Sequence, residues 1–119
     1  MPQASSVESQ PRPDWAAFSL HQSHGVEFRV LLDRDGLVIA GLRFAKLASI
    51  GEHAAEIDID VICVQGRGFV SVDSHSQPFS AGQQAFWPAG QLHRLWTAGS
   101  KMETLMVERS RRRSGAASS

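Results

Sequence analysis

The sequence predicts an all-β domain of barrel or sandwich type. Three observations carry that prediction. Apolar residues recur with period two in short runs, most plainly in "EIDIDVICV" over residues 56–64. Turn-forming residues separate the runs, among them Asp35-Gly36, Gly66 and Gly68, and Pro88 with Gly90. No segment sustains a strong helical period. Short strands punctuated by Gly and Pro bury a core only as packed or closed sheets.

The elements follow in order. Residues 1–13 are rich in Ser, Gln and Pro and are expected to form a flexible arm. "DWAAFSL" is expected to make one helical turn, with Asp14 as its N-cap. "VEFRVLL" reads as a strand running into a hairpin at Asp35-Gly36, and "LVIAGLRFAKL" as the longer strand after it. In 56–64, Ile57, Ile59, Val61 and Cys63 share one face, and Glu56, Asp58 and Asp60 the other. "QGRG" is read as a hairpin turn into "FVSVD", and "SHSQPFSAGQ" as a loop. "AFW", "LHRLWT" and "KMETLMVE" supply the remaining strands, and residues 110–119, "SRRRSGAASS", a basic tail. The domain proper is thus expected over residues 14–109.

Composition narrows the function classes. Lys plus Arg equals Asp plus Glu, 12 each, so no net field draws the chain to nucleic acid or to a membrane surface. The three arginines of the tail have no aromatic partners nearby and read as solvated. No apolar run is long enough to span a bilayer. The single Cys63 cannot form an internal disulfide, which fits a cytoplasmic setting. Ser71, Ser74 and His75 do not make a nucleophile triad, and no glycine-rich phosphate loop is present.

Residues 82–97 read G-QQAFW-P-A-G-QL-H-RLW-T. Gly82, Pro88, Gly90 and His93 stand at the spacing of the second motif of the cupin superfamily, which this stretch resembles; Thr97 stands where that motif usually has Asn. The first motif, His-x-His, then Glu, then Gly, would fall on residues 53–66, "HAAEIDIDVICVQG". His53 and Gly66 fit it; Ala55 replaces the second His and Ile59 the Glu. The resemblance spans roughly residues 26–108 and implies a single-domain antiparallel jelly-roll barrel, usually a homodimer, with its ligand site inside the barrel. Pro88 fixes φ and Gly90 permits positive φ, so the chain turns tightly and directs the His93 ring inward.

In that family three His and one Glu hold a divalent metal. Positions 53, 55 and 59 differ by even numbers, so on one regular strand they would share a face. Here the candidate metal ligands are His53 and His93 alone, a degraded set, because Ala55 and Ile59 offer no lone pair. A carboxylate could complete a two-His site only if a β-bulge turned Glu56, Asp58 or Asp60 inward. The candidate ligand pocket comprises His53, Ala55, Ile59, Trp87, His93 and Leu95. Cys63, Phe44 and Met106 read as core, while His21, His24 and His75 fall in arm or loop sequence without a signal.

Three functions are open. The favoured one is a binder of a small, partly apolar molecule, with His53 and His93 as polar anchors and the metal site degraded or absent. The second is a metal-dependent enzyme resembling the cupin dioxygenases or isomerases, holding iron, manganese, nickel or zinc on His53 and His93. The third is a dimeric structural module without a ligand. The expected partners are a small-molecule ligand and a second copy of the chain, with no nucleic acid and no membrane.

Overall fold

The computed structural model describes Val7 and residues 13–109. The expected arm, apart from Val7 and Pro13, and the arginine-rich tail lie outside the described residues. Eight strands follow in order: β1 (Ala16–Ala17), β2 (His24–Arg34), β3 (Leu37–Ala54), β4 (Ile59–Val72), β5 (His75–Ser80), β6 (Gln84–Trp87), β7 (Leu92–Trp96) and β8 (Met102–Arg109). All are antiparallel to their partners, and none of the described residues is helical.

Two long strands organise the architecture. The first part of β3, residues 37–44, pairs with β8, and its last part, residues 49–54, with β7. β4 divides the same way: residues 59–66 pair with β8 and residues 69–72 with β7. The ladders β3–β7–β4–β8–β3 therefore run in a ring. β2 extends the sheet beyond β3, while β6 and β5 flank the two halves of β4. This is the all-β, antiparallel jelly-roll class expected from the sequence.

Each long strand bends where it changes partners. β3 bends at residues 45–48, where Leu47 has φ 59°. Thr97 holds that bend: its Oγ1 donates to the Ala45 carbonyl at 2.6 Å and accepts the Ala48 N–H at 2.9 Å. β4 bends at a register shift between Cys63 and Gln65, beside Gly66 at φ 77°. A Cβ on Gly66 would run into the Lys101 carbonyl, so the bulge demands glycine.

Several sequence expectations need correction. "QGRG" is this bulge inside β4, not a hairpin turn. The hairpin lies further on, at Asp73 and Ser74, both with positive φ, and β5 occupies much of the expected loop. β5 pairs only with β4, so it is an edge strand and tolerates Pro78. "DWAAFSL" makes no helical turn. Ala16 and Ala17 pair with Phe28 and Glu27, Trp15 lies under the Arg29 and Arg43 guanidinium groups, and Phe18 meets Phe28 edge-on. These contacts outweigh the weak helical preference of a short alanine stretch. The hairpin at Asp35-Gly36 forms as expected, both residues having positive φ.

The alternation in 56–64 holds at Ile59, Val61 and Cys63, which are buried in the core with Phe44 and Met106. Ile57 packs half-buried against that core. No helix among the described residues is long and apolar enough to cross a membrane.

Candidate functional site

An apolar cavity of about 310 Å³ opens beside the ends of β3, β4, β6 and β8. Phe18, Phe28, Val30, Leu42, Ile50 and Met106 form much of its wall. The polar groups on it are few: His21, His53 and Glu108. A concave, mostly apolar space with a small number of placed polar groups is the usual form of a small-molecule site.

Two turns aim the histidines. Pro88 and Gly90, the latter at φ 84°, reverse the chain between β6 and β7, and the Gln91 N–H closes the turn on the Pro88 carbonyl at 3.2 Å. Asp58 accepts the Ala89 N–H at 2.9 Å, and the Gly90 N–H donates to the Ala55 carbonyl at 2.8 Å. This fixes the turn against the β3–β4 connection. His93 then enters β7 facing inward and is 0% exposed. It stands directly opposite His53 in the β3–β7 ladder. The two Nε2 atoms are 3.1 Å apart.

Trp87 backs the pair, stacked on His93 with ring centroids 3.9 Å apart. On the other side lies His21, which the sequence alone did not single out. Its ring stacks on His53 at 3.5 Å and 3°. His21 sits in a tight turn with Gln22, both at φ 56°, closed by the Ser23 N–H on the Leu20 carbonyl. The turn docks through the Gly51 N–H, which donates to the His21 carbonyl at 3.0 Å. Only glycine fits there, because a Cβ on Gly51 would collide with that carbonyl oxygen.

The protons of the pair can be counted. His53 Nδ1 lies 2.8 Å from the Gly51 carbonyl, and His93 Nδ1 lies 3.2 Å from the Gln91 carbonyl. Together with the Nε2–Nε2 contact, this chain of three hydrogen bonds needs three ring protons. Two neutral imidazoles carry two. Burial opposes the third: it pushes His93 down to about 4, the neighbouring His53 adds to the effect, and the Gln91 carbonyl partly offsets it. His21 is likewise lowered, first by burial and then by His53. Near neutral pH His93 is therefore uncharged, and two neutral rings leave this chain of bonds one proton short.

The six expected pocket residues divide. His53, Ala55, Ile59 and Trp87 line the cavity. His93 lies buried behind His53, and Leu95 belongs to the core. His53, Ala55 and Ile59 do not share one strand, because a bend at Glu56–Ile57 separates β3 from β4. No bulge turns an acid inward. Asp58 caps the Ala89 turn, Asp60 pairs with Arg109 at 3.3 Å, and Glu56 is exposed.

The residues present do not fit a metal centre. Among the described residues only His53 and His93 converge. The His21 plane is parallel to that of His53, so an ion lying in one ring plane is out of the other, away from its lone pair. Among the described residues no group of three or more His, Cys, Asp or Glu is arranged to hold an ion.

No family model matches the chain, and no curated protein does. Solved structures do match. The polyketide cyclase RemF from Streptomyces resistomycificus is 18% identical, with TM-score 0.76, over 87% of this chain and 80% of its own. A cupin-2 domain from Rhodospirillum rubrum is 13% identical, with TM-score 0.76, over 92% and 77%. A predicted oxalate decarboxylase from Thermotoga maritima is 22% identical, with TM-score 0.72, over 82% and 90%. These neighbours share the fold while differing in described activity. This chain thus has the fold of the cupin barrel domains.

Proposed function

We propose that this cupin-fold chain binds a small, largely apolar organic molecule bearing a hydroxyl that keeps its proton near neutral pH, such as a phenol or an enol. The observation that carries the reading is the His53–His93 pair, one proton short, at the wall of an apolar cavity. With both Nδ1–H groups given to backbone carbonyls, the two Nε2 lone pairs face each other across 3.1 Å. A ligand O–H at His53, the member of the pair that lines the cavity, supplies the missing proton. Neutral carbonyl compounds bring no proton and gain nothing from the pair. The aromatic wall of Phe18, Phe28 and Trp87 favours a flat ring system, and the cavity volume suits one or two rings.

The fold neighbours described as a polyketide cyclase and a predicted oxalate decarboxylase support an organic occupant in a general way. Their identities to this chain are low, and the chemistry they perform is not carried over. Dimerisation is part of the same proposal only as the habit of small cupins.

The test is a calorimetric titration with 2-naphthol and with 2-methoxynaphthalene, its analogue without the proton. The wild type is expected to prefer 2-naphthol by about tenfold, the worth of one good hydrogen bond. His53→Leu should lose that preference and still bind 2-methoxynaphthalene as before, which shows that the cavity is intact. Equal affinity of the wild type for both compounds would sink the reading.

A further inference from the structure

Glu108 is an inward-facing carboxyl that the histidine pair does not use. Along β8, buried Met102, Thr104 and Met106 alternate with less buried neighbours, and half-buried Glu108 continues their row toward the cavity. It stands opposite Val38 on β3 and Ile59 on β4, and Ile59 stands opposite Trp87 on β6. Directly opposed residues project to the same face of an antiparallel sheet. Val38, Glu108, Ile59 and Trp87 all line the cavity. They form one belt that ends where Trp87 stacks on His93. The carboxyl thus lies two strands around the wall from Trp87, across Ile59. Among the described residues it makes no hydrogen bond and no ion pair.

We propose that Glu108 is a second polar anchor of the cavity, so that the occupant is a flat, apolar molecule with one oxygen function at the histidine pair and a hydroxyl at its far end. This rests on the reading of the cavity as a ligand site and narrows the ligand class. An inward carboxyl with no partner among the described residues costs stability, and apolar positions on the same row show what the fold would otherwise place there. Burial raises the Glu108 carboxyl above the usual carboxylate range. A hydroxyl suits it in either form, donating to the carboxylate or exchanging bonds with the neutral acid.

The probes are 2,6-dihydroxynaphthalene, with hydroxyls at opposite ends, and 2-naphthol, with one. Wild-type protein should bind the diol about tenfold more tightly than 2-naphthol, one additional hydrogen bond. Glu108→Gln should keep most of that preference. Glu108→Leu should reduce it to about the twofold statistical advantage of a symmetric ligand and raise the melting temperature. A preference that survives in Glu108→Leu, or is missing from the wild type while 2-naphthol still binds, overturns the anchor and leaves the histidine site standing. If neither naphthol binds the wild type, the cavity reading and the anchor fall together.

Discussion

Replacing His93 by Gln should flatten part of the protein's acid sensitivity. In an unfolded chain a histidine takes up its proton near pH 6.5, whereas buried His93 does so only at about 4. The folded state therefore resists a proton that the unfolded state accepts. The contribution favours folding fully above pH 6.5, is lost as pH falls from 6.5 toward 4, and changes no further below that. Its ceiling is roughly 3 kcal/mol, and relaxation of the pair brings the expected value to about 2 kcal/mol. Gln keeps hydrogen-bonding capacity and does not titrate in this range. Urea unfolding of both proteins at about pH 7 and about pH 4.5 gives the stability difference at each pH, and groups common to both cancel. The wild type should lose about 2 kcal/mol more than His93→Gln over that interval. Parallel pH profiles would refute the burial and pairing assigned to His93.

Two further predictions concern the supports of the site. Thr97→Val keeps the shape but strands the Ala45 carbonyl and the Ala48 N–H, and should cost about 2–3 kcal/mol in urea unfolding; a loss below about 0.5 kcal/mol would show that the hydroxyl does not hold the β3 bend. Gly51→Ala pushes the His21 carbonyl away and should break the His21–His53 stack. Proton titration followed by NMR should then show His21 moving up toward the ordinary histidine range, and an unchanged titration would mean that Gly51 does not dock this turn.

The parts legible in the sequence are those with local physical signals. Strict alternation at Ile59, Val61 and Cys63 marked an inward strand face, Asp35-Gly36 marked a two-residue hairpin, and the spacing of Pro88, Gly90 and His93 marked the turn that aims the ring. What escaped depends on contacts distant in sequence or on ambiguous local chemistry. Gly66 suits a bulge as well as a turn, and only the Lys101 carbonyl against it decides. β5 carries Ser, Gln and Pro because an edge strand tolerates them. His21 reaches His53 through a positive-φ turn that docks on Gly51, thirty residues away in the chain. Glu108 did carry a usable signal: in "METLMVE" it shares the parity of Met102, Thr104 and Met106, an ionisable group where the period demands an apolar one.

The central claim is that the histidine pair binds its ligand through a shared proton and needs no metal ion. Its most direct test is the 2-naphthol titration on one protein sample before and after exhaustive chelation, with elemental analysis of both. The account predicts the same affinity in both samples, regardless of trace metal, and loss of the preference over 2-methoxynaphthalene only when His53 is replaced. An affinity that disappears with the chelated metal and returns when one equivalent is restored would contradict it.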